Sequence, residues 1–138
     1  MDCPTDIVFV LDESGSIGSS DFGLMKSFLS HLVGRLDIDS GNTRVGLVTY
    51  STNVWSGFNL SDHSSVAAVQ SAISSLTYSG GTTDTAAALA HVRTTMLTSA
   101  AGDRRNVPNV VVVLSDGRSS NRSATQVCIY VIRYVVEV

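Results

Sequence analysis

The chain carries little charge of either sign and contains no long hydrophobic run. Nine lysines and arginines against twelve aspartates and glutamates leave a net charge of −3 at pH 7. Binding to nucleic acid needs a basic surface, so this balance argues against a nucleic acid as partner. The longest apolar runs, such as residues 110–114, are far too short to span a bilayer. We therefore expect neither nucleic-acid binding nor membrane insertion.

Cysteine and proline are also scarce, with two of each among 138 residues. Two cysteines allow at most one disulfide, so the chain is not a small domain held together by disulfides. Hydrophobic residues make up 43% of the composition, which predicts a globular core, and the length fits one domain. No charged segment followed by an apolar stretch precedes the first predicted strand, so we expect no export signal in this chain.

Four segments predict the main strands of the fold. Residues 7–11 and 110–114 are apolar at every position, which is typical of strands covered on both faces, as in a parallel sheet. Residues 44–50 predict a third strand. Residues 53–60 predict a less regular strand, which we place at an edge of the sheet.

The last segment of the chain, residues 128–138, is also rich in strand-forming residues. A further parallel strand would need a crossover helix in front of it, and no helix of ordinary length fits between residues 123 and 129. This segment therefore predicts either an antiparallel strand or an incomplete domain.

Apolar residues at helical spacing predict three helices between the strands. The three stripes comprise Phe22, Met25, Leu29, Leu32 and Leu36, widened by Phe28 and Val33; Val66, Val69, Ile73 and Leu76; and Ala86, Leu89, Val92 and Met96. We expect Ser20 or Asp21 to cap the first helix, and Ser61 or Asp62 to cap the second. Strands alternating with such helices predict one α/β domain, with a doubly wound, mostly parallel sheet and helices on both faces.

Three polar loops follow strands or begin helices. They are residues 12–16 after the first strand, residues 80–85 before the third helix, and residues 115–117 after the strand at 110–114. In an open α/β sheet, ligands bind beyond the carboxyl ends of the strands, where the strand order reverses. If the first strand and strand 110–114 are neighbours, all three loops meet in one crevice.

The three loops offer a set of oxygen donors consisting of two carboxylates and three hydroxyls. These candidate metal ligands are Asp12, Ser14, Ser16, Thr83 and Asp116. Hard oxygen donors select Mg²⁺, Mn²⁺ or Ca²⁺ rather than zinc or copper. Five such groups leave room for water, which a carboxylate from outside would replace. The alternative is structural, because serine and aspartate in front of a helix are often N-caps.

An enzyme is the competing hypothesis for these loops, with Ser14 or Ser16 as nucleophile or Asp12 as phosphoryl acceptor. A serine nucleophile needs a positioned base, and no histidine motif accompanies these serines. The sequence has no G-x-S-x-G elbow, no G-x-x-x-x-G-K phosphate loop and no G-x-G-x-x-G motif. These features favour binding over catalysis.

The three loops resemble those of the von Willebrand factor A-type domain, in the extracellular-matrix branch seen in matrilins and A-domain collagens. The resemblance rests on Asp12-x-Ser14-x-Ser16, on Gly-Gly-Thr-Thr-Asp-Thr at 80–85 and on Leu-Ser-Asp-Gly at 114–117, and it covers residues 3–126. It implies that Asp12, Ser14, Ser16, Thr83 and Asp116 form a metal-ion-dependent adhesion site, usually with Mg²⁺. It also implies a secreted module that binds matrix or cell-surface proteins, with collagen-like partners included.

The end of the chain departs from that family. Residues 127–138 stand where family members continue with a helix, a strand ending in a glycine-rich turn and a further helix. We therefore expect a single domain over residues 3–138 that is incomplete at its carboxyl terminus, as in a fragment or an aberrantly terminated product. A metal-independent interaction domain, or a truncated product without function, is the alternative to the adhesion hypothesis.

Several single residues carry further expectations. Asn59 and Asn121 lie in N-x-S glycosylation sequons, which matter only if the protein is exported. Cys3 stands where the matrix branch often has a cysteine that pairs beyond the domain. Cys128 is the other cysteine of the chain, and the strict geometry of a disulfide argues against a bond between the two. We expect the adjacent Arg104 and Arg105 to be solvated, and Glu13 to point away from the metal ligands.

Overall fold

A computed structural model describes residues 3–115 and 128–134 of the chain. The elements are, in chain order, β1 (Thr5–Asp12), α1 (Gly18–Val33), β2 (Thr43–Tyr50), β3 (Val54–Phe58), α2 (Val66–Ser74), α3 (Thr85–His91), β4 (Asn109–Ser115) and β5 (Cys128–Tyr134). A π-helical turn at Val92–Met96 continues α3, and a short 3-10 turn at Ser99–Ala101 precedes β4.

The strands form one five-stranded sheet in the order β3-β2-β1-β4-β5. The central strand β1 pairs in parallel with β2 on one side and with β4 on the other. The edge strands β3 and β5 are antiparallel to their neighbours. The sheet is therefore mixed, with the three central strands parallel as predicted and both edge strands antiparallel. The adjacency of the first strand and strand 110–114 is confirmed. The last segment forms an antiparallel strand, which was one of its two predicted alternatives.

Successive residues of β1 face opposite sides of the sheet, and both sides are buried. Phe9 and Leu11 join a core cluster that includes buried residues of α1 and α2. Val8 and Val10 join a second cluster that includes buried residues of α3 and the π-helical turn. This alternation explains why residues 7–11 of β1 are apolar at every position, and it confirms helices on both faces of the sheet.

The start of α1 differs from the prediction. Its N-cap residue is Ile17, which makes no side-chain cap, so neither Ser20 nor Asp21 caps the helix. Asp21 lies in the first turn instead, where its charge is favourable to the helix dipole. The helix also begins earlier than its apolar stripe, and Phe28, which the stripe included, is 47% exposed.

The start of α2 also differs from the prediction, because its cap lies closer to the helix than residues 61–62. Ser65 is the N-cap, and its hydroxyl accepts a hydrogen bond from the backbone N–H of Ala68 at 3.1 Å. The carboxylate of Asp39 accepts a second hydrogen bond, from the backbone N–H of Val66 at 2.9 Å. Two side chains therefore satisfy N–H groups that have no partner within the helix.

Arg104 closes the amino end of the sheet and is not simply solvated as predicted. Its guanidinium donates to the Oδ1 of Asp6 through Nε at 2.9 Å and Nη2 at 2.6 Å. The side chain of Asp6 is fully buried, whereas that of Arg104 is 23% exposed. The same guanidinium also donates to the backbone carbonyls of Thr5, Gly41 and Asn42. The prediction failed because the partner carboxylate lies 98 residues away in the chain.

The two cysteines lie at opposite ends of the sheet. Cys128 pairs with Ser115 at the carboxyl end of β4, and the β1–β4 register places that end beside Asp12. Cys3, which is exposed, precedes the amino end of β1. About nine residues at ~3.3 Å per residue separate the two levels, which is ~30 Å. A disulfide needs Cα atoms within about 7 Å, so the register excludes a bond between these cysteines in one chain.

Candidate metal-binding site

The candidate site begins at the carboxyl ends of β1 and β4. Asp12 is the last residue of β1, and its side chain is fully buried. Ser115 ends the neighbouring strand β4, and its hydroxyl donates a hydrogen bond to the Oδ2 of Asp12 at 2.8 Å. Ser115, the first residue of the third predicted loop, therefore meets the start of the first loop at this edge of the sheet, as expected for neighbouring parallel strands.

The loop after β1 folds back on its own carboxylate. The backbone N–H of Ser14 donates to the Oδ1 of Asp12 at 2.8 Å, which fixes the turn. The hydroxyl oxygens of Ser14 and Ser16 lie 3.2 Å apart. Ser14 is buried, with 1% of its surface exposed, whereas Ser16 is exposed. The alternating residues of this loop thus bring a carboxylate and two hydroxyls into one small region.

The loop in front of α3 contacts the loop after β1 through its backbone. The N–H of Gly15 donates to the carbonyl of Gly81 at 2.8 Å. Gly81 has φ +117°, a backbone conformation that favours glycine. A Cβ at this position would also lie only 2.8 Å from the Oγ1 of Thr52. Thr83 follows two residues later and is buried, with 9% of its surface exposed. The glycine lets the two loops approach closely enough for this backbone hydrogen bond.

Two further hydrogen bonds hold the loop after β1 in place. The hydroxyl of Tyr78 donates to the carbonyl of Ser14 at 3.0 Å, and its ring packs on that of Phe22 at a centroid distance of 5.7 Å. The backbone N–H of Glu13 donates to the carbonyl of Tyr50 at 2.9 Å. The loop is therefore tied to α1, to the end of β2 and to the segment in front of α3.

The structure describes four of the five predicted ligands. Asp12, Ser14 and Ser16 share one loop, and Thr83 lies in the loop that contacts it. Asp116 lies outside the described residues, although its neighbour Ser115 bonds to the Asp12 carboxylate. In residues 3–115 and 128–134, no group of three or more histidine, cysteine, aspartate or glutamate side chains is arranged to hold a metal ion. Hydroxyls accompany Asp12 instead.

The electrostatics of the site differ from those of an ordinary buried carboxylate. Within the part of the chain that the structure describes, Asp12 accepts hydrogen bonds from Ser14 and Ser115 but forms no ion pair. A buried carboxylate without an opposite charge is costly, which makes the position favourable for a cation. The donors beside it are hard oxygens, and these suit Mg²⁺, Mn²⁺ or Ca²⁺. The residues present therefore fit a divalent cation.

Sequence reasoning missed the supporting roles of Ser115 and Tyr78. Ser115 lies beside a predicted ligand at the end of a predicted strand, and that position was the available signal. Tyr78 reaches a carbonyl 64 residues earlier in the chain, and no local pattern announces such a contact. Glu13 is buried, with 2% of its surface exposed. Its exclusion from the ligand set stays a prediction.

Fold and loops together define an α/β domain with a candidate cation site at the carboxyl edge of its sheet. A family model described as the von Willebrand factor type A domain matches residues 6–138. The chain therefore belongs to the von Willebrand factor type A domain family.

The relatives of this chain include extracellular-matrix proteins. The chain is 43% identical over 120 residues to the collagen alpha-4(VI) chain of Mus musculus, which covers 86% of this chain and 5% of that protein. It is 35% identical over 115 residues to vitrin of Homo sapiens, covering 83% of this chain and 17% of that protein. The chain thus spans a small part of the length of these relatives.

Solved structures show the same fold. Proximal thread matrix protein 1 from the mussel byssus superposes with a TM-score of 0.80 at 26% identity, covering 89% of this chain and 33% of that one. A second structure of that protein is described as having a zinc-occupied MIDAS motif, and it matches with a TM-score of 0.80 at 25% identity over 90% of this chain and 34% of that one. In the described ranges 3–115 and 128–134, no helix combines the length and apolar character needed to cross a membrane.

Proposed function

We propose that this domain is a metal-ion-dependent protein-binding module of an extracellular-matrix type of protein. Asp12, Ser14, Ser16, Thr83 and Asp116 are the residues that would hold a divalent cation. The observation that carries the proposal is the buried Asp12 carboxylate, which has no ion pair among the described residues and lies beside the paired hydroxyls of the same loop. A divalent cation there would balance its charge.

Mg²⁺ is the cation that we propose, with Mn²⁺ and Ca²⁺ as alternatives. The candidate donors are carboxylates and hydroxyls, which are hard oxygen ligands. The related mussel protein whose structure is described with a zinc-occupied MIDAS motif supports divalent-cation binding at this site. The donor set of this chain favours Mg²⁺ over zinc, because zinc sites in proteins are commonly built from cysteine and histidine.

Asp12 and Ser16 have different parts in the proposed binding. Asp12 supplies buried negative charge, and Ser115 and the Ser14 N–H orient its two oxygens. When bound, the cation would offer a coordination position to a carboxylate oxygen of the partner. Ser16 is exposed, so the outer side of the loop is open to a partner.

The partner that we propose is a matrix or cell-surface protein with an accessible carboxylate, and collagen-like chains are included. The presence of collagen chains among the relatives supports this class of partner and a secreted location. The role that we propose is binding without turnover, and the lack of a histidine motif beside Ser14 and Ser16 in the sequence supports it.

Isothermal titration with Mg²⁺ and Mn²⁺ tests the proposal directly. We expect the wild-type chain to bind one divalent cation, and Asp12→Ala and Asp116→Ala to abolish that binding. Asp84→Asn is the matched control, because Asp84 lies in the second loop but its carboxylate caps α3 by accepting from the Ala87 N–H at 3.0 Å. This variant removes one negative charge near the site and should bind as the wild type does.

The same titration, together with an assay of ester turnover, distinguishes the competing hypotheses. A folded wild-type chain that releases no heat and gains no thermal stability with either cation would favour a metal-independent interaction domain. Turnover of acyl or phosphoryl esters that Ser14→Ala abolishes would favour an enzyme instead. Either result would contradict the adhesion proposal.

A further inference from the structure

The sequon Asn59-Leu60-Ser61 is a feature that the proposed metal site does not use. We propose that Asn59 carries an N-linked glycan when the chain enters the secretory pathway, beyond the edge strand β3 and about four residues along the strands from the level of the candidate metal site. The sequon alone is a common triplet, so the case depends on the surroundings of Asn59 in the fold.

The side-chain amide of Asn59 is available for modification. Asp62 closes the turn after β3 from both directions: its carboxylate accepts from the Asn59 N–H at 2.7 Å, and its own N–H donates to the Asn59 carbonyl at 3.1 Å. The side chain of Asn59 makes no hydrogen bond within the described residues, and the residue is only half-buried. A sugar on its Nδ2 therefore disrupts no contact that holds the turn.

The turn itself is anchored by its other residues. Leu60 is 1% exposed and belongs to the core cluster on the α3 side of the sheet. The N–H of Ser61 donates to the carbonyl of Ala101 at 3.3 Å, and Ser61 is exposed. The fold thus keeps the central residue of the sequon in the core and leaves the outer two accessible.

The sheet register places Asn59 far from the candidate metal site. Asn59 follows Phe58, which pairs with Leu47, and Leu47 in turn pairs with Phe9 of β1. Asn59 is therefore about four residues below the level of Asp12, or ~13 Å along the strands at ~3.3 Å per residue. It also lies beyond the edge strand, two strands away from β1. A glycan there leaves the carboxyl edge of the sheet open to a partner.

The group transferred is an oligosaccharide from a lipid-diphosphate-linked donor of the secretory pathway. The Nδ2 of Asn59 forms a bond to the anomeric carbon of the first sugar. The bond between that carbon and the diphosphate oxygen breaks, the lipid diphosphate leaves with the electron pair, and the amide loses one proton. Ser61 provides the hydroxyl that the sequon requires.

To test this proposal, the full chain is fused to an amino-terminal, cleavable signal peptide and expressed in animal cells that secrete it. The chain has a second sequon at Asn121, which lies outside the described residues, so Asn121→Gln is the background for scoring Asn59. Electrophoresis with and without peptide-N-glycosidase should show one glycan on the Asn121→Gln chain. Adding Asn59→Gln or Ser61→Ala should remove it, whereas adding Ser61→Thr should retain it.

Asn53→Gln on the same background is the matched control, because it changes a nearby asparagine that lies outside any sequon. Cell lysate and medium are both scored, so a variant that is retained in the cell still gives a result. An Asn121→Gln chain that shows no shift in either fraction would overturn the proposal. Glycan attachment does not depend on metal binding, so this experiment still tests the glycan proposal if the metal proposal fails.

Discussion

A buried aspartate lies near each end of β1, and the two differ in their partners. Asp6, near the amino end, is fully buried and forms an ion pair with Arg104, with 2.6 Å between Asp6 Oδ1 and Arg104 Nη2. Asp12, at the carboxyl end, is equally buried but accepts only from a backbone N–H and a serine hydroxyl among the described residues. The chain supplies its own cation at one end and leaves the other end suited to a cation from solution. Asp6 is thus a structural carboxylate, whereas Asp12 is the carboxylate that we propose to bind a cation.

Loss of the Asp6 charge should have the largest effect on stability. Asp6→Asn leaves the Arg104 guanidinium without its ion pair, and we expect the free energy of unfolding to fall by about 3 kcal/mol. Urea unfolding measures this loss. Added Mg²⁺ should still stabilise the variant, since the amino end is remote from the candidate site. A loss smaller than about 1 kcal/mol would show that the two ends are less different than proposed.

Asp12→Asn should abolish the stabilisation by Mg²⁺ without lowering the stability of the metal-free chain. At a concentration of 100 times its Kd, Mg²⁺ should stabilise the wild-type chain by about 2.7 kcal/mol, and the variant should lose this gain. Without metal the variant should be at least as stable as the wild type, because the change removes a buried charge that has no ion pair. Thermal unfolding with and without Mg²⁺ checks both expectations. A variant that keeps the Mg²⁺ gain would contradict the proposed site.

The close approach of the two loops is tested at Gly81. Gly81→Ala places a Cβ 2.8 Å from the Thr52 Oγ1 at a φ of +117°, and we expect a loss of about 2 kcal/mol in stability. Mg²⁺ affinity should fall as well, because the Gly15–Gly81 hydrogen bond holds the loops together. Gly41→Ala is the matched control, since Gly41 has φ +86° and no atom within 4 Å of its added Cβ. Its Mg²⁺ affinity, measured by titration, should be unchanged; an equal loss there would refute the argument.

The smallest expected effect is that of the Tyr78 hydroxyl. Tyr78→Phe removes the hydrogen bond to the Ser14 carbonyl and should cost about 1 kcal/mol in stability together with a several-fold loss of Mg²⁺ affinity. Gln70→Leu is the control, because it removes a side-chain hydrogen bond of similar length, from the Gln70 amide to the Ser30 carbonyl at 2.9 Å, which joins α2 to α1. Calorimetric titration of both variants should show weaker binding for Tyr78→Phe only. Equal losses would mean that Tyr78 acts through general stability.

Most of the fold follows from periodicity in the sequence. Residues of β1 and β4 are apolar on both faces because helices cover both sides of the sheet, and their pattern predicted two buried parallel strands. Features that depend on distant contacts were not predictable in this way. Arg104 was expected to be solvated, and its partner lies 98 residues earlier. The predicted N-cap residues of α1 and α2 were also wrong, because serine and aspartate occur near several plausible helix starts.

The candidate site was predictable to the level of loops but not of contacts. The order of the three loops placed Asp12 and Thr83 at one edge of the sheet, and the structure joins their loops through Gly15 and Gly81. The hydrogen bonds that orient the loop after β1 come from Ser115 and Tyr78, whose side chains reach across the fold. Such contacts depend on tertiary packing, and local sequence spacing carries no record of them.

The position of Mn²⁺ in crystals of this domain, located by anomalous diffraction, tests the proposed cation site. We predict one peak at the carboxyl edge of the sheet, within coordinating distance of the Ser14, Ser16 and Thr83 hydroxyls and in direct or water-bridged contact with Asp12. No peak at a saturating Mn²⁺ concentration, or a peak that Thr83 does not reach, would contradict it.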